Sequence, residues 1–218
     1  MRNDHIPKLR EMLTVSAWLY VPAFILLAVT AAMSYKFDIP ISKFMRDPAA
    51  IMEAHPLNGV ISNIGILLWS ATAAICLFCW VLLLRTRKHS ETRWFFFSGG
   101  ILTSVLLLDD LFLLHERLYP MYFGITDKII LPLYSLLLLS FIIGFKRQIL
   151  KTRFYLLFFA ICFFGVSLLV DRLPESLLPW HHLFEDGSKF FGIVSWFGYF
   201  ITSGFQEAGS LFGSGRSD

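Results

Sequence analysis

The sequence predicts an all-α, polytopic integral membrane protein with six transmembrane helices and both termini cytoplasmic. Three observations carry that prediction. Of the 218 residues, 56% are hydrophobic and 16% charged, with a mean hydropathy of +0.63, which is too little charge to cover a soluble domain of this length. Apolar runs of membrane-spanning length recur along the chain, and they are continuous rather than alternating, which excludes a β-barrel reading. Lys and Arg gather at alternate ends of those runs. No polar linker divides the chain, so one helical bundle over 1–218 is expected.

The expected spans are roughly 12–34, 57–84, 94–115, 129–145, 154–170 and 183–205. A bilayer core needs about 20 apolar residues per helix, within about 17–25. The first run follows Arg2, Lys8 and Arg10 and ends in "AVTAAMS", the outline of a signal peptide. Its length of about 22 apolar residues exceeds the about 7–15 of an h-region, so it is read as a retained helix.

The second run is long enough to tilt. It opens on "HPLNGVISNIG", where Gly59, Ser62 and Gly65 offer a thin face for close helix approach and Asn58, Ser62 and Asn63 supply hydrogen-bonding groups. Its Cys76 and Cys79 form a C-x-x-C among Ala, Ile, Leu and Phe, and read as buried small hydrophobes rather than a redox or zinc pair. The third run ends in "SVLLLDDLFLLHERLYP", in which Asp109, Asp110, His115 and Glu116 stand among leucines. The fourth and fifth runs are short. The sixth begins in "LPWHHLFEDGSK", with Pro179 placed in the first helical turn and His182, Glu185, Asp186 and Lys189 on one stripe. His55 and His181 are expected to face solvent.

Charge sets the orientation. Twelve basic residues fall at the N-terminus, the second loop (Arg85, Arg87, Lys88, Arg93), the fourth loop (Lys146, Arg147, Lys151, Arg153) and the tail, against seven on the other side. Eleven of the 16 acids lie on that other side or near it. Positive charge stays cytoplasmic, so the His, Asp and Glu clusters belong to the outer leaflet of a cell membrane. The tail "GSLFGSGRSD" carries no recognisable signal.

Asp109 is the hardest of these residues to explain as a solvated helix end, because a charge at a helix centre costs about 2.5–3.5 kcal/mol. Asp109 and Glu116 are seven residues apart, so they share a helix face but stand about 10.5 Å apart along the axis. A site that uses several of these groups needs other helices, or a break near His115. Asp109, Asp110, Glu185 and Ser62 are the candidate catalytic groups. His115, His182 and Asp186 are the candidate ligands of zinc or another divalent metal, which would activate a water. Lys189, Glu116 and Asn63 are assigned pairing or structural roles, and Lys189 is expected to pair with Glu185 or Asp186. The bland alternatives stay open: His115, Glu116 and Arg117 as a helix end, and Glu185, Asp186 and Lys189 as an internal salt bridge.

The order Asn58, Ser62, Asn63, then Asp109, Asp110 and His115, then "HHLFED" resembles the alkaline ceramidase and adiponectin-receptor superfamily. That resemblance implies a zinc-dependent hydrolase of lipid amides on a seven-helix fold, with a serine, an aspartate and three histidines, the last two as H-x-x-x-H. Here Asp186 stands four residues after His182, and six helices are visible. "EDGSK" is also similar to the E-E-x-x-K of glutamate-dependent intramembrane proteases, although the motif order differs. The expected activity is hydrolysis of a lipid or lipid-linked substrate. The expected partners are the bilayer and that lipid, with no nucleic acid. The alternatives are a non-enzymatic transport or sensing protein with a titratable relay, and a structural membrane subunit with an internal ion-pair network. Sparse polar residues in the inner halves argue against a through-pore, and no inverted repeat is evident.

Overall fold

A computed structural model describes residues 5–84 and 90–213. Arg2, Arg85, Arg87, Lys88, Arg216 and the end of the tail, on which part of the charge argument rests, lie outside the described residues. Among the described residues every regular element is helical. Four helices among the described residues are long and apolar enough to cross a membrane: Met12–Phe37, Val60–Leu84, Ser90–Phe112 and Phe154–Asp171. The chain is therefore an α-helical membrane protein. Lys128–Gly144 is a shorter apolar helix. The expected sixth span lies within a helix of 33 residues, His181–Gly213, whose first turns are polar through Lys189, so it does not read as a simple apolar span.

The chain divides into two compact units, Met1–Asn58 and Gly59–Asp218, where one bundle was expected. In the first unit, α1 (His5–Phe37) is apolar on every face over most of its length, as a helix solvated by lipid is. Its end is closed by the Ser34 hydroxyl, which donates to the Ile39 carbonyl at 2.7 Å. Two short helices follow, α2 (Ile41–Met45) and α3 (Pro48–Ile51). Asp47 caps α3 by accepting from the Ala49 and Ala50 amides, with Pro48 in the first turn.

The second unit is built from α4 (Val60–Leu84), α5 (Ser90–Phe112), α6 (Tyr119–Phe123), α7 (Asp127–Gly144), α8 (Lys146–Leu150), α9 (Phe154–Asp171) and α10 (His181–Gly213). Helix α10 packs against α9 and α4, and α4 packs against α5. An aromatic core of Phe95, Phe96, Trp196, Tyr199 and Phe200 fills the middle. Gly99 lets α10 approach: a Cβ there would stand 2.7 Å from the Phe200 ring. Gly65 of the sequence-predicted thin face does the same beside Ile193, whereas Gly59, at φ +68, precedes the helix, and a Cβ there would meet no neighbour. In that core the Trp196 indole donates to the Thr103 hydroxyl at 3.0 Å, so the one polar atom of the buried tryptophan is satisfied. Cys76 and Cys79 are buried and unbridged, as their apolar setting predicts.

The break anticipated near His115 is present. Helix α5 stops at Phe112, Leu113 takes a left-handed conformation (φ 50, ψ 47), and a π-helical turn runs over Leu114–Leu118. A branched, bulky residue in that region costs about 1–2 kcal/mol, a strain that must be held by its surroundings. Leu113→Gly is accordingly expected to leave the fold intact and to gain up to about 1 kcal/mol, read as a raised unfolding midpoint in detergent. The last helix, α10, begins at His181 rather than at Pro179. Trp180 holds a left-handed φ of 63, so the helix cannot extend back through it.

Candidate functional site

The kink after α5 creates the first element of the site. In a continuous helix a residue six positions on would lie about 9 Å along the axis from Asp109. The break folds His115 back instead. Three donors converge on Asp109, which is only 4% exposed: the His115 amide at 3.1 Å, the Tyr134 hydroxyl of α7 at 2.8 Å, and the His115 ring through Nδ1. A carboxylate only accepts, so Nδ1 carries a proton, and in the neutral ring Nε2 presents a lone pair. Nε2 is 3.8 Å from Glu116 Oε1, beyond hydrogen-bond reach, and His115 lines the cavity described below. The hydrogen bond to Asp109 raises the His115 pKa above its ordinary 6.5, with burial opposing.

Asp110 points elsewhere, as its angular offset from Asp109 requires. Its carboxylate accepts from the Trp69 indole of α4 at 2.8 Å and pairs with the Lys189 ammonium of α10 at 2.7 Å. The clusters of α5 and α10 therefore meet. Lys189 does not pair with Glu185 or Asp186 on its own stripe, because Asp110 faces it across the helix interface. Trp69 is in turn stacked on Phe164 and set edge-on to Trp196, which fixes the indole that holds Asp110.

The third element is at the start of α10. His181, expected to face solvent, is 8% exposed, while His182 has 72% of its side chain exposed. The reason is the turn at Trp180, which directs the first helical residue inward. His181 Nε2 reaches the carbonyls of Val170 and Leu173 at the end of α9, at 2.9 and 3.1 Å. Glu185 lies beside both rings, with its Oε2 3.5 Å from His181 Nδ1 and 3.6 Å from His182 Nδ1. His181, His182 and Glu185 could hold a metal ion, since one donor atom from each lies within 4.8 Å of the others. The sequence-predicted ligand set is thus rearranged. His115 is engaged by Asp109, and Asp186 lines the cavity outside that group.

These elements share one cavity of about 1050 Å³. Its polar wall holds Asp109, Asp110, His115, Glu185, Asp186 and Lys189, and its apolar wall includes Leu102, Leu106, Leu131 and Phe164. Ser62 and Asn63 are exposed and do not line it. Ser62 stands two turns before Trp69 on the same helix face, about 10.5 Å nearer the helix start, and so falls short of the site. Glu116 also lines the cavity, half exposed. Sequence reasoning missed Tyr134, Trp69 and His181. The available signal was polar atoms inside apolar runs, for which a phenol or indole on an apolar segment must find a partner.

A second cavity of about 510 Å³ opens near the other end of α10, lined by Glu91, Lys151, Ser203 and Glu207 among others. Between the stretches of α10 that line the two cavities stand Tyr199 and Phe200, both fully buried. No curated protein and no solved structure matches this chain. Residues 18–203 match the family described as Domain of unknown function (DUF8692), and since that match spans most of the sequence, the chain belongs to this family.

Proposed function

We propose that the protein is a membrane hydrolase acting on a lipid or lipid-linked substrate, with His115 as the general base. One observation carries the reading: a buried aspartate, itself held by three donors, fixes the His115 tautomer and leaves Nε2 free in a large amphipathic cavity. This is the arrangement of an activated base with an orienting group behind it. Nε2 takes a proton from water, the resulting hydroxide attacks the scissile group, and the imidazolium returns the proton to the leaving group. Asp109 stabilises the imidazolium without moving a proton itself. Lys189 lines the same cavity with its charge paired to Asp110, and the apolar wall accommodates acyl chains.

Six spans with both termini cytoplasmic complete the proposal, α7 and the first part of α10 being the fourth and sixth. The alternating basic loops support this orientation and put the cavity in the outer leaflet of a cell membrane. A structural ion-pair network is favoured by the Asp110–Lys189 pair together with the Asp109–His115 contact. Such a network closes on itself, whereas His115 Nε2 is left without a hydrogen-bond partner. A conduit is disfavoured by the aromatic block at Tyr199 and Phe200.

The test is the pH dependence of turnover on micellar lipid substrates. The free base is the active form, so the rate rises with pH and levels off above an inflection higher than 6.5. Asp109→Asn moves that inflection down. The linked stability runs the other way: the protonated form's contribution is complete below the unfolded value and is lost as pH rises through the raised one. A rate independent of pH across this range would contradict the assignment.

A further inference from the structure

We propose that His181, His182 and Glu185 form a binding site for a zinc-class divalent transition metal at the start of α10. The site rests on its own geometry and does not depend on His115 acting as a base.

The observation that points to a ligand is the His181 ring. It is more than nine-tenths buried, and its Nδ1 is buried without a hydrogen-bond partner. Its Nε2 faces two backbone carbonyls, which only accept, so Nε2 carries the proton and Nδ1 carries a lone pair. That lone pair faces the Glu185 carboxylate at 3.5 Å. With the ring neutral, two electron-rich groups at that separation repel unless a proton or a metal cation lies between them, and the His182 nitrogen beside them favours the metal. His182 brings a second imidazole nitrogen to 3.6 Å from the same carboxylate oxygen.

The spacing suits a small tetrahedral ion. Zinc bonds to nitrogen and oxygen are about 2.0–2.1 Å long, which puts neighbouring ligand atoms about 3.3–3.4 Å apart. The separations of 3.5 and 3.6 Å are within a few tenths of an ångström of those edges. The outer partners also fit. A metal-bound histidine commonly donates its other N–H to a carbonyl or carboxylate. His181 has the Val170 and Leu173 carbonyls, and His182 Nε2 lies 4.0 Å from Glu175 Oε1.

The surroundings favour a cation. Asp171, Glu175, Glu185 and Asp186 line this part of the cavity, Arg172 lies against Asp171, and Lys189 is taken up by Asp110. Two imidazoles with one carboxylate select a zinc-class ion over calcium or magnesium, which prefer all-oxygen shells. Three protein donors leave a coordination position for water or a ligand oxygen.

The experiment uses the full chain in detergent, stripped with a chelator and titrated with Zn²⁺, with bound metal counted after gel filtration. Co²⁺ substitution reports the ligand geometry by its absorption. His181→Ala also removes the cap on α9, so the deciding variants are the exposed His182→Ala and the isosteric Glu185→Gln. The expected result is about one equivalent of Zn²⁺ in the wild type and in His115→Gln, with affinity lowered at least about tenfold in His182→Ala and in Glu185→Gln, and about tenfold in Glu175→Gln. No stoichiometric Zn²⁺ in the wild type, or equal binding by His182→Ala and Glu185→Gln, would overturn the site. Loss of binding in His115→Gln would place the metal elsewhere in the cavity and overturn it as well.

Discussion

Asp110→Ala is expected to be among the most damaging single changes to the fold. It strands the Lys189 ammonium and the Trp69 indole N–H, two donors from two different helices that converge on one carboxylate. Removing one partner of a buried pair costs about 3–5 kcal/mol. Lys189 retains partial access to its surroundings, so the low end, about 3 kcal/mol, is expected here. The double change Asp110→Leu with Lys189→Met removes both charges and is expected to recover most of that loss. The thermal midpoints of the two single variants and the double variant in one detergent give the coupling directly. Additive losses in the double variant would show that the two residues act independently.

The second large effect concerns turnover. A positioned general base contributes about 10²–10⁴-fold, so His115→Gln is expected to lower kcat by that factor while leaving KM within a few-fold. Asp109→Asn keeps the shape but provides only one accepting oxygen where three donors now converge, so it is expected to approach the same loss. Tyr134→Phe removes one donor to Asp109 and is expected to cost less. A raised KM with kcat unchanged would mean that His115 binds substrate without acting as the base.

Much of this architecture was legible in the sequence because membrane burial leaves a coarse mark. Continuous apolar runs located the helices of both units, and the depth of Asp109 marked it as a residue that must be held by others. The Asp109–Glu116 separation argued for a break or for outside partners, and the break at Leu113 supplies it. What the sequence did not show follows from geometry that residue spacing does not encode. A left-handed Trp180 turns His181 inward and His182 outward, although adjacent histidines look alike in the chain. Lys189 had two acids on its own stripe, yet a third on a neighbouring helix comes closer. Ser62 and Asn63 shared the polar layer by position in the chain, but the helix starts too far from the cavity for either to reach it.

The measurement closest to the central claim is hydrolysis of a panel of lipid esters, amides and phosphoesters in mixed micelles, by wild type and by His115→Gln side by side. The wild type is expected to cleave at least one class, with a loss of about 10²–10⁴-fold in the variant at unchanged folding. Cleavage at equal rates by both proteins, or by neither across the panel, would contradict the claim.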